Sequence, residues 1–322
     1  MSKNVDLFNA LEHKTPSGFV PRWELEFHAW DAASGKHAIL GHEFEKLSPA
    51  EQEKAMHQNA ELFISVSEEL GFSALTVPSS YWNHAPGELA YWCMPGDTRY
   101  RQAAILGKMA PPSLTLFGIT GGIMGADYSP EFCYSLVDDP ESIDQLVTNR
   151  LADGIESAKR YRDCGIKAAV APADIADNSG PFFNPDQMNR WILPKLTEWS
   201  NTLRAMGMYS IFHTDGKLYR YMDAIASTGI DALQAIDPVA GMDMKTTLSM
   251  VGNRLCLCGN IDCGLLVRGS PEEVYQSTKD LLVTCKDQGS MILGASNAVQ
   301  PEVPVENYRA MICAWKEFGQ YK

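Results

Sequence analysis

The sequence predicts a single (β/α)8 TIM barrel, α/β in class, spanning residues 1–322. Three observations carry that prediction: eight short apolar runs with strand character, helix-like segments between most of them, and polar residues just past the ends of seven of the eight runs. Strands that alternate with helices pair in parallel through right-handed crossovers, and eight such units in a chain of this length close a barrel more readily than they extend an open sheet.

The expected strands run from Phe19 to Phe27, Ala74 to Pro78, Leu114 to Ile119, Lys167 to Ala171, Met208 to His213, Ala232 to Ile236, Arg254 to Cys258 and Met291 to Gly294. Each is rich in apolar residues and bounded by turn-forming ones. The helix Pro49 to Leu70 opens with Ser48 as N-cap and Pro49 at its first position, and it places Met56, Ala60, Ile64 and Val66 near one face. Helices are also expected over Pro140–Cys164, Pro185–Met206, Lys217–Thr228, Met244–Val251, Pro271–Gln288 and Val305–Phe318. Residues 79–112 break the rhythm. With Tyr81-Trp82, Pro86-Gly87, Tyr91-Trp92 and Pro95-Gly96, they read as a long aromatic loop after the second strand, a kind of excursion that often serves function. No linker, low-complexity tract or short repeat divides the chain.

Composition narrows the partners. The chain is 45% hydrophobic and 21% charged with a net charge of −13, ordinary for a folded domain and opposed to general binding of nucleic acid or an anionic membrane. The N-terminus lacks an apolar signal region and no stretch approaches the ~20 apolar residues of a membrane span, so a cytoplasmic location is expected. Eight cysteines are too dilute for a disulfide scaffold. Cys256, Cys258 and Cys263 cluster, but no second Cys pair or nearby His completes a zinc pattern, and they read as buried strand thiols.

Barrel active sites lie past the carboxyl ends of the strands. Those positions hold Glu24, Glu26 and His28; Ser79, Ser80 and Tyr81; Asp174, Asp177 and Asn178; His213 and Asp215; Asp237; Asn260 and Asp262; and Ser296 and Asn297. His213 and Asp215 are the most pointed pair, because side chains two apart on an extended strand face the same way and can converge on a metal ion. The alternative for such a pair is a mutual hydrogen bond or a cap on the following helix. Thr120-Gly121-Gly122 lacks the Lys-Ser/Thr of a phosphate loop, and neither a dinucleotide-binding glycine turn nor a Gly-x-Ser-x-Gly elbow occurs.

The segments Phe212-His213-Thr214-Asp215-Gly216, Gly229 to Pro238, Cys258-Gly259-Asn260-Ile261-Asp262, Ile292-Leu293-Gly294 and Pro304 to Tyr308 resemble the uroporphyrinogen decarboxylase superfamily, and Val20-Pro21-Arg22-Trp23 looks like its first strand. The resemblance implies a (β/α)8 barrel. Porphyrinogen decarboxylases look arginine-rich after the first strand, whereas here Trp23-Glu24-Leu25-Glu26-Phe27-His28 would repel a polycarboxylate. The corrinoid-dependent methyltransferase branch resembles the chain at His213 but carries His-x-Cys there and a second Cys after the last strand. Asp215 and Ser296-Asn297 stand at those points, a departure that speaks against a thiolate zinc site; a harder, oxygen-rich zinc site is expected instead, with His213 and Asp215 as ligands and a third oxygen from Glu24, Glu26 or Asp237, Glu26 being the first choice.

Such a centre suits an ether oxygen. The function expected from the resemblance is O-demethylation, with methyl transfer from a methoxylated aromatic to the Co(I) corrinoid of a partner protein. Asp174, Asp177 and Asp237 are the candidate catalytic carboxylates, and Tyr81, Trp82, Tyr91, Trp92, Phe182 and Phe183 are the candidate walls for the aromatic ring. Members of the superfamily often dimerise, which extends the expectation of a homodimer to this chain. Other readings are corrinoid-linked transfer involving a methylamine or thiol, a decarboxylase-like lyase, or a non-catalytic small-molecule-binding protein.

Overall fold

The computed structural model describes residues 3–79 and 94–321. Its framework is a curled parallel sheet wrapped by helices, the architecture of a (β/α)8-like barrel. The sheet is built from β1 (Ala74–Thr76), β2 (Thr115–Ile119), β3 (Ala168–Pro172), β6 (Tyr209–His213), β7 (Ala232–Gln234), β8 (Cys256–Ile261) and β9 (Met291–Ala295) in that spatial order. A small antiparallel hairpin, β4 (Ala176–Asp177) and β5 (Gly180–Pro181), rises from the end of β3.

The expected first strand, Phe19–Phe27, is not continuous. Pro21 has no N–H to give a ladder, and the segment pairs only at isolated bridges such as Arg22 with Leu293 and Phe27 with Val299. It nevertheless joins the two edges. Leu293 N donates to Pro21 O at 2.8 Å and Trp23 N to Leu293 O at 3.1 Å, while Ser73 N donates to Arg22 O at 2.8 Å on the other side. The remaining seven expected strands are present, shifted by at most three residues at their ends.

Strand parity organises the interior. Trp23, Leu25, Ala74, Phe117, Ile119, Ala168, Val170, Ile211, Ala232, Cys256, Cys258 and Ile292 pack together inside the barrel, alternating with residues that pack against the helices. Cys256 and Cys258 are therefore buried free thiols in that packing. The same parity carries the next inward positions, His213 on β6 and Gln234 on β7, to the carboxyl end of the barrel, where they lie in register with each other.

The helices Pro49–Leu70, Met244–Val251 and Val305–Phe318 have the predicted bounds. Three expectations need correction. Within the predicted loop 79–112, Thr98–Met109 is a helix that buries Tyr100, Gln102, Ala103, Ile105 and Leu106; residues 80–93 of the aromatic excursion, with Ser80, Tyr81, Trp82, Tyr91 and Trp92, lie outside the described residues. The helix expected over Pro185–Met206 is divided by a π-turn at Met188–Ile192 before Leu193–Ala205. Pro194 supplies the reason, since it has no N–H for the carbonyl four residues earlier. Lys217–Thr228 shortens to a 3-10 turn, Tyr219–Tyr221, and a helix, Met222–Ala226. Among the described residues no helix is long and apolar enough to cross a membrane.

Candidate metal centre

Asp174, His213 and Asp215 converge at the carboxyl end of the barrel, each offering a ligand atom within 4.8 Å of the other two. His213 and Asp215 continue the inward parity of Ile211 on β6, as their spacing predicts, while the intervening Thr214 turns away and accepts from Ile175 N at 3.0 Å. Asp174 comes from the loop after β3. That loop is tied to the β6 end: Ala173 N donates to His213 O at 2.9 Å, and Lys217 N to Asp177 O at 2.9 Å. Asp215 N donates to Asp174 Oδ1 at 2.9 Å. Gly216, with φ of +94°, lets the chain pass under the hairpin, where a Cβ would lie 2.5 Å from the Ala176 carbonyl carbon.

The three side chains have unlike surroundings. His213 is 3% exposed and its Nε2 lies 3.7 Å from Asp174 Oδ1, whose side chain is half exposed. Its Nδ1 contacts Gln234 Oε1. Asp215 accepts from Asn297 Nδ2 at 2.5 Å through Oδ2, whereas its buried Oδ1 has no hydrogen-bond partner among the described residues. Burial raises the Asp215 pKa to about 6; the Asp174 and Asp237 carboxylates push the same way, against His213 and the Asn297 hydrogen bond. A partnerless buried carboxylate oxygen, a ring nitrogen and a half-exposed carboxylate together form a donor set suited to a divalent cation such as zinc.

Glu26 is not in the cluster found among the described residues, in which Asp174 joins His213 and Asp215. Glu26 Oε2 lies 3.1 Å from His28 Nε2, both side chains being buried, so the glutamate is engaged by its own neighbour two residues on. Glu24 is also enclosed: Tyr308 Oη donates to it at 2.7 Å and Ala295 N at 2.8 Å. Burial raises its pKa to about 7, opposed by those two hydrogen bonds and by Arg22.

The other candidates divide. Asp177 Oδ1 accepts from Ser179 N at 2.7 Å and Gly180 N at 3.1 Å, closing the β4–β5 turn. Asp237 Oδ1 accepts from Val239 N at 2.9 Å, closing the turn after β7. Asp262 caps the helix Cys263–Arg268, and Asn260 Nδ2 donates to Ile236 O at 3.0 Å. Phe183 is buried in the core beneath the helices. Phe182 is only partly buried, and its ring meets Tyr128 edge-on at 5.0 Å. Tyr128 itself is 62% exposed, and the nearby charges of Asp177 and Asp174 add to burial in raising its pKa.

Gln234 and Tyr128 did not figure among the sequence candidates. Gln234 had a usable signal, as the polar residue inside the run Ala232–Ile236 that shares the inward parity of Ala232. Tyr128 had none, since its place depends on how the loop after β2 folds.

The family model for uroporphyrinogen decarboxylase (URO-D) matches residues 100–318, and the chain belongs to this family. Within it, the chain is 23% identical over 166 residues to a methylcobamide:CoM methyltransferase of Methanosarcina barkeri, covering 51% of this chain and 46% of that protein. It is 24% identical over 186 residues to a uroporphyrinogen decarboxylase of Psychromonas ingrahamii, covering 56% and 50%. The chain thus spans about half the length of these curated relatives. A solved methyltransferase from Methanosarcina mazei shares the fold over 99% of both chains, with a TM-score of 0.76 and 16% sequence identity.

Proposed function

We propose that this chain is a metal-dependent methyltransferase that moves a methyl group from a methoxylated aromatic compound to the Co(I) corrinoid of a partner protein, releasing a phenol. The observation that supports it most is the Asp174–His213–Asp215 cluster at the open end of the barrel, whose Asp215 Oδ1 is buried without a hydrogen-bond partner among the described residues. His213 Nε2 and the two carboxylates would hold zinc. Bound there, zinc supplies Lewis acidity toward the ether oxygen, which favours departure of the phenolate. The chain's own contribution is placement: Asn297 fixes one oxygen of Asp215, and the Asp215 N–H fixes Asp174. Phe182 and Tyr128 offer an aromatic surface beside Asp174 and Asp177 for the ring.

The family also contains decarboxylases, but acidic groups at this end of the barrel oppose a polycarboxylate. Arg22 cannot relieve that opposition, being 1% exposed and engaged below the mouth with Tyr308.

The test pairs composition with turnover. Purified protein is expected to carry about one equivalent of zinc that His213→Ala loses, and to release phenol from a methoxyarene only when a reduced corrinoid protein or free reduced cobalamin is present. Turnover without any corrinoid, or full activity in metal-free protein, would overturn the reading.

A further inference from the structure

We infer that Gln234 is a positioning residue that holds His213 in the Nδ1–H tautomer and so presents Nε2, with its lone pair, to the Asp174–Asp215 cluster; the metal-binding consequence rests on the function proposed above. The orientation of the Gln234 amide follows from its surroundings. Its nitrogen lies 3.2 Å from the carbonyl oxygens of both Ala295 and Ser296. Two acceptors on one side require the NH2 group there, because an amide oxygen would face two carbonyls with no proton between them. Oε1 is then left toward His213, where it meets Nδ1.

An amide oxygen can only accept, so a neutral His213 must carry its proton on Nδ1. Nε2 is left to face Asp174 Oδ1 at 3.7 Å. Gln234 is 2% exposed, so water offers no competing partner for its side chain. The residue also spans the barrel end: it lies on β7 in register with His213 on β6, and reaches the β9 end immediately before Asn297, which holds Asp215. Histidine ligands to metals are commonly oriented through the nitrogen that does not bind, with losses of ten- to a hundredfold in affinity when that partner is removed.

The decisive measurement is the 15N NMR spectrum of metal-free protein labelled at histidine, recorded at pH 8.5, with His213 assigned by the signals missing in His213→Ala. A protonated Nδ1 and an unprotonated Nε2 are expected for His213 in the parent chain. Gln234→Leu should lose this single tautomer and bind zinc ten- to a hundredfold more weakly in a competition titration, whereas Gln234→Glu, which can still accept from Nδ1, should keep the tautomer. An Nε2–H tautomer in the parent, or an unchanged tautomer in Gln234→Leu, overturns the inference, and the parent spectrum decides it even if the leucine variant does not fold. Failure of the parent to bind zinc would count against the metal reading alone, because the tautomer is read without metal.

Discussion

Glu24 holds a carboxyl group without solvent, and its pKa of about 7 against an ordinary 4.5 has a consequence for stability. Between those values the folded chain keeps a proton that the unfolded chain has lost, so stability falls as pH rises from about 4.5 to 7 and levels above. The shift corresponds to a loss on the order of 3 kcal/mol. Urea unfolding of chelator-treated protein at pH 5 and pH 8 should show that fall. Glu24→Gln should retain only the part contributed by Asp215, whose raised pKa acts in the same direction below about pH 6. A second contrast separates the two aspartates of the loop after β3. Asp174 belongs to the cluster and Asp177 closes a turn, so Asp174→Asn should weaken zinc binding at least tenfold while Asp177→Asn leaves it within about twofold, in the same competition titration. Equal losses would mean that the loop, and not the Asp174 carboxylate, supports the site.

At the scale of elements, the centre depends on how two loops are fastened together. The ends of β3 and β6 share hydrogen bonds from Ala173 to His213 and from Lys217 to Asp177, and Gly216 is where the second loop passes beneath the first. Gly216→Ala would demand a left-handed conformation and set a Cβ 2.5 Å from the Ala176 carbonyl carbon. A loss of about 3 kcal/mol or more is expected by denaturant unfolding, with zinc affinity falling because Asp174 moves away from Asp215. These cross-loop contacts explain which parts of the site were legible in sequence. Strand parity suffices to bring His213 and Asp215 together, and also to mark Gln234, because it is a local property of each strand. The approach of Asp174 to that pair is not local: it turns on the β4–β5 hairpin settling over Gly216, while Glu26 meets His28. The helix Thr98–Met109 illustrates the same limit, since its buried face is periodic but follows the Pro- and aromatic-rich segment that drew the loop reading onward to residue 112.

For the whole molecule, the question is how a barrel closes when its first strand contributes only bridges. Arg22 ties that seam from inside. Its guanidinium donates to Leu70 O at the end of the helix Pro49–Leu70 and, at 3.2 Å, to Tyr308 Oη on the helix Val305–Phe318. It also lies 5.0 Å from the ring centre of Trp315 on that last helix. Tyr308 in turn donates to Glu24, and Glu24 accepts from Ala295 N on β9. One buried cation thus connects the first strand, the first long helix, the last strand and the last helix. Arg22→Met would keep much of the volume but leave the Leu70 carbonyl without this donor and Glu24 without its nearby cation. Breaking one member of a buried polar set commonly costs about 3–5 kcal/mol, and guanidinium unfolding should register a loss of that size. Because Arg22 helps to lower the Glu24 pKa, its removal should also move the Glu24-linked fall in stability to higher pH. An Arg22→Met variant as stable as the parent would show that backbone bridges at Pro21, Arg22 and Trp23 close the barrel on their own.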